Sequence, residues 1–265
     1  MSWWGKVIGG TFGFMLGGPL GAVMGAALGH NFDRGLNMGG PRRIGGGANV
    51  EKIQSVFFTA TFSMMGYLAK ADGQVSADEI SAARHIMRQM RLSPEQEKVA
   101  IKLFNQGKQP GFPAEDILQQ FRLECHRRRN LIQMFLEILV VTAFADGDLH
   151  QTEDGILRNA ALTLGFSSTE FNNLLSRIRA QAHFQKTRQQ SKNDAMSVAD
   201  AYQLLGLKQN ASAEEVKKAY RRQMNQHHPD KLVSKGLPQE MMEIANQKSQ
   251  DIRSAYELIR NAQKT

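Results

Sequence analysis

The chain has 265 residues, of which 42% are apolar, enough to bury at least one core and to divide into small domains. A single cysteine, Cys125, excludes a disulfide framework, an internal redox pair and a cysteine-rich zinc module, which suits a reducing compartment. The formal charge of +8 points to an acidic partner without saying whether it is nucleic acid, lipid or protein.

From Val7 to Leu28 no residue is charged. As a helix this stretch extends roughly 33 Å, enough to cross a hydrocarbon layer of about 30 Å, so residues 7–28 are expected to form one transmembrane helix. Glycine recurs at every fourth position, with Gly9, Gly13, Gly17, Gly21 and Gly25 lining one slowly drifting face where a second helix can approach closely. That face is the expected homodimer contact. In water so much glycine would cost a helix roughly 1 kcal/mol per residue against alanine, whereas spanning helices tolerate it. A flexible tail would be more polar, and no clear small-x-small cleavage site follows to suggest a removed signal. Trp3 and Trp4 suit an interfacial anchor. Arg34, Arg42 and Arg43 follow the run while only Lys6 precedes it, which places residues 1–6 outside and the C-terminal side in the cytoplasm.

Residues 29–50, with "GLNMGGPRRIGGGAN", read as a glycine-rich spacer. The middle block, 51–180, has helical apolar spacing, as in Ile80, Ala83, Ile86, Met87 and Met90. Helix starts are expected at "SPEQE" from Ser93 and at "FPAED" from Phe112, giving a bundle of about seven helices. "AKADGQVSADEI" from Ala69 and "AFADGDLHQTED" from Ala143 repeat one pattern of helix end, Asp-Gly turn and following Glu. Asp72, Glu79, Asp146, Asp148 and Glu153 are therefore weak candidates for a divalent cation. The blander account makes Asp-Gly the turn and Glu79 and Glu153 members of helix-capping pairs, and the spacing lacks the order of a calcium loop. This duplicated arrangement resembles the tellurite-resistance protein B (TerB-like) family.

A polar stretch, 181–197, is expected to link the middle block to a C-terminal block, 198–265. There, Asp200 to Leu205 forms a short helix closed by Gly206, and Ser212 with Glu215 caps a helix reaching His227. Helical projection puts Val216, Ala219, Tyr220 and Met224 on one arc and Lys217, Lys218, Arg221 and Arg222 on the other. Met241, Ile244, Ile252, Ala255 and Ile259 give the apolar stripe of a second helix, completing a hairpin with a loop at its tip.

The stretches "YQLLGL", "VKKAYRRQMNQHHPDK" and "IRSAYELI" resemble the J domain of DnaJ-type co-chaperones, whose signature falls on His228, Pro229 and Asp230. Together with the apolar segment and the TerB-like block, the whole chain resembles the membrane-anchored DnaJ-like protein A family of Gram-negative bacteria. The resemblance implies an all-α inner-membrane protein that needs no cofactor, binds a DnaK-type chaperone and triggers that partner's ATPase. Lys217, Arg221, Arg222 and Lys231 would form the docking surface with the signature loop. Gln223 and Ser249 depart from the Leu and Phe usual in the family and suggest a weaker hairpin core. The segment "LVSKGLPQEMMEIA" makes a longer connection to the last helix than the shortest family members have.

Other chemistries fit less well. His227, on the apolar edge of its helix, reads as a half-buried packing residue. A zinc site on His227, His228 and Asp230 lacks a fourth ligand nearby. The basic face lacks the aromatic interleaving of a nucleic-acid reader, so no nucleic acid is expected. The rival reading is a metal-responsive signalling adaptor centred on the acidic repeat.

Overall fold

A computed structural model describes residues 47–71, 92–144, 149–190 and 197–264, with the isolated positions 21, 84, 86–88 and 90. The regular structure of the described residues is helical, with no strand among them. In chain order the helices are α1 (Gly47–Leu68), α2 (Pro94–Gly107), α3 (Ala114–Glu124), α4 (Arg129–Ala143), α5 (Gln151–Thr163) and α6 (Ser168–Gln190). They are followed by α7 (Val198–Leu205), α8 (Ala213–His227), α9 (Pro229–Ser234), a 3-10 turn (Gln239–Met241) and α10 (Met242–Ala262). Local chemistry sets several starts. Ser93 accepts from the Gln96 N–H and its own N–H donates to the Gln96 side chain, with Pro94 occupying the first helical position.

Helix α4 is buried nearly all round, as a central helix must be; Leu131, Met134, Phe135, Leu136 and Val140 have no exposed surface. Phe121 and Phe135 lie 4.3 Å apart by ring centroids, and Phe57 packs on both. Ile86, Met87 and Met90 join this core, as their spacing predicts. Helices α1 and α2 cross in backbone contact. A Cβ on Gly66 would sit 1.9 Å from the Phe104 carbonyl oxygen, and one on Gly107 would sit 1.8 Å from that of Ser63.

The C-terminal hairpin has its own core of Ala201, Tyr202, Leu204, Leu205, Val216, Ala219, Ile252, Ala255 and Ile259. Tyr220 stacks on Tyr256 at 4.3 Å between centroids. Gly206 closes α7 at φ 74°.

Two expectations change. The stretch expected as a linker begins as helix, because α6 runs on to Gln190 and its Gln181 side chain donates to Asp251 of α10 at 2.7 Å. The stripe expected along the last helix also divides. Met241 and Ala245, with Leu232 and Leu237, are buried in the core of the middle block instead, and Ile244 packs against it. The long connection is thus the hairpin's seat on its neighbour. Gly236, at φ 103°, passes so near α1 that a Cβ there would meet the Ile53 side chain at 2.7 Å.

Candidate functional site at the hairpin tip

Helix α8 separates its faces cleanly. Ser212 and Glu215 form the reciprocal cap: the Glu215 N–H donates to Ser212 Oγ, and the Ser212 N–H donates to the carboxylate. Those bonds from Ser212 hold the Glu215 carboxyl below the usual range. Val216, Ala219, Gln223 and His227 face inward, whereas Lys217, Lys218, Arg221 and Arg222 are exposed. At the end of α8, His228 is extended (φ −61°, ψ 124°), as the residue before a proline must be, and Pro229 opens α9. The Leu232 N–H closes the turn onto the His228 carbonyl at 3.0 Å. Asp230 and Lys231 are exposed, His228 and Pro229 half-buried. The Lys231 ammonium donates to the Asn225 side chain, tying α9 back onto α8.

Behind the tip lies a polar cluster that pattern reasoning missed. His227 is buried (5% exposed) rather than half-exposed on an apolar edge. Its Nδ1 lies 3.0 Å from the Gln223 carbonyl oxygen, and its Nε2 lies 3.0 and 3.2 Å from the two oxygens of Glu137 on α4. Both ring nitrogens thus face oxygen atoms that can accept hydrogen bonds. Lys248 of α10 reaches the same carboxylate at 2.7 Å, and Gln133 donates to it at 2.8 Å. Burial pushes the Glu137 carboxyl up, but Lys248 and His227 outweigh it and hold the group well below the usual carboxylate range. Asn130 donates to the Asn225 carbonyl at 3.3 Å, and Gln54 donates to that of Leu237 at 3.4 Å. The signal for this cluster was a carboxylate inside the apolar run "MFLEILVV", since a buried charge requires a partner.

Ser249 does not loosen the hairpin as its polarity suggested. Its hydroxyl donates to the His227 carbonyl at 3.0 Å, capping the end of α8. Gln223 does carry a penalty, for its Nε2 is buried with no hydrogen-bond partner among the described residues.

Of the acidic repeat, Asp72, Glu79, Asp146 and Asp148 lie outside the described residues. Glu153 is buried, and its carboxylate accepts from the His150 N–H at 3.1 Å at the start of α5. Among the described residues no group of three or more potential metal ligands occurs, and no helix is long and apolar enough to cross a membrane. The expected spanning segment lies outside them apart from Gly21, which is helical.

Three family descriptions match in chain order: the co-chaperone DjlA transmembrane domain over residues 1–41, tellurite resistance protein TerB over 58–176, and the DnaJ domain over 200–265. "Co-chaperone protein DjlA" of Photobacterium profundum is 46% identical over 272 residues, covering 97% of this chain and 98% of that protein. Its counterparts in Shewanella oneidensis and Vibrio cholerae are each 45% identical, with 98% of both chains covered. The chain belongs to the DjlA co-chaperone family. No solved structure matches it. As a DjlA-family protein it carries a transmembrane domain, a TerB domain and a J domain, which makes it a membrane-anchored co-chaperone and a regulator by family. The geometry at the tip suits docking: five exposed cations, a carboxylate on a short rigid turn, and a proline that fixes their relation.

Proposed function

We propose that this co-chaperone docks the basic face of α8 and the His228-Pro229-Asp230 turn on a cytosolic DnaK-type chaperone and stimulates its ATPase, turning over no substrate itself. The observation that carries the reading is the placement of that turn at the end of an outward-facing cationic helix. Lys217, Arg221 and Arg222 steer an acidic partner surface, and Lys231 extends the charge to the tip. Asp230 accepts charge-assisted hydrogen bonds from a partner cation. The turn acts by binding one state of the partner better than the other, so it needs no reactive group of its own.

The segment 7–28 spans the inner membrane once, with the N-terminus periplasmic and the helical blocks cytoplasmic. Gly9, Gly13, Gly17, Gly21 and Gly25 form its dimer face. Residues 51–180 and 198–265 serve as the TerB-like and J units.

A steady-state ATPase assay of DnaK with the full chain in detergent tests the mechanism. Stimulation is expected from the wild type and is expected to fall to the basal rate with His228→Gln; stimulation that survives the substitution refutes the reading. For the anchor, crosslinking in membranes is expected to lose its dimer product when Gly13, Gly17 and Gly21 are replaced by Leu.

A further inference from the structure

Where the J hairpin sits on the middle block, the two border an open cleft of about 550 Å³, within the range of roughly 300–1,000 Å³ common for small-molecule sites. The middle block contributes Arg129, Glu170 and Arg177 to its walls, and the hairpin contributes Lys208 and Arg222. Four cations thus face one carboxylate. That carboxylate is already engaged, since Glu170 pairs with Arg129 at 2.5 Å and accepts the Ser167 N–H at 2.8 Å. Arg177, half-buried in the wall of the cleft, makes no side-chain hydrogen bond to another described residue. The carboxylate that acts on it, Glu137, already receives Lys248, His227 and Gln133. Burial is the main influence lowering the Arg177 pKa; Glu137 opposes it, and the like charge of Arg222 adds to it. Two like-charged guanidinium side chains therefore border one concavity, both beside Gly206, an arrangement that an anion relieves.

We propose that this interdomain cleft binds a phosphate-bearing anion, held by Arg177, Arg222 and Lys208. Phosphate is favoured over a carboxylate because one tetrahedral group carries nearly two charges and three acceptor oxygens, matching several converging donors at once. The same chemistry is available from a soluble phosphoanion and from the phosphomonoester headgroup of a lipid such as phosphatidic acid in the anchoring bilayer. Because the cleft has one wall on each block, an occupant ties the two together. The site stands without the proposed chaperone contact, and its test does not involve the ATPase.

Thermal unfolding and calorimetry of the full chain would use inorganic pyrophosphate and tripolyphosphate in detergent. A parallel arm compares nanodiscs of phosphatidylcholine containing phosphatidic acid with nanodiscs of phosphatidylcholine alone. Saturable binding and a raised midpoint are expected in at least one arm, and the arm that responds identifies the source. Arg177→Gln is expected to raise Kd by about tenfold, the loss of one charge-assisted hydrogen bond. Lys208 is exposed, so Lys208→Glu gives a second variant with little risk to folding and the same expected loss. No saturable response in either arm, an equal response to sodium chloride at matched ionic strength, or unchanged affinity in Lys208→Glu would overturn the proposal.

Discussion

Glu137 is a carboxylate in a helix buried nearly all round, and its three donors come from Gln133, His227 and Lys248. Replacing it with alanine leaves buried His227 and Lys248 without their shared acceptor, so Glu137→Ala is expected to destabilise the chain by about 3–5 kcal/mol in denaturant titration. The acid response follows from the same contacts. The folded carboxyl titrates below its unfolded value, so the stabilisation is complete above about pH 4.3 and disappears as pH falls through the lower folded value. Thermal midpoints measured between about pH 5 and pH 3 should therefore fall less in Glu137→Gln than in the wild type. Cys125 offers a simpler check, since burial pushes its thiol up to about 12, against a smaller opposing pull from Arg128. It is expected to resist iodoacetamide in the folded chain and to react once denaturant is added. At this scale the sequence exposed His228, Pro229 and Asp230 because they are contiguous. It hid the bond from His227 to Glu137 because 90 positions separate them.

Among the elements, helix starts were the most legible feature. The caps at Ser93 and Ser212 depend on residues three positions apart, and both form as their spacing predicts. The overrun of α6 was misread on composition. "QAHFQKTRQQ" is polar, yet it contains no glycine or proline and is rich in good helix formers, so nothing in it ends the helix. The crossing of α1 and α2 could not be read either, because a glycine inside a helical pattern does not announce what passes against it. Gly66→Ala places a methyl group against backbone rather than a yielding side chain. Its destabilisation should lie at or above the upper end of roughly 1–3 kcal/mol, read as a lowered denaturation midpoint.

For the whole molecule, the all-helical class was legible from apolar periodicity, while the docking of one block on the other was not. "LVSKGLPQEMMEIA" looks like an elongated connection when only the hairpin is considered, and Leu232, Leu237, Met241 and Ala245 find their burial outside it. Because these side chains share a core with Ile53 and Leu131, the two blocks should unfold in one transition. Leu237→Asp is expected to split that transition in calorimetry.

The shared seat also limits modular exchange. A graft that moves residues 198–265 alone onto another carrier would bring along a greasy heel made by Leu237 and Met241, cut off from the surface that shields it. Such chimaeras would tend to clump unless α1 and α4 travelled with them, so the heritable unit of this architecture is the pair of blocks rather than either one.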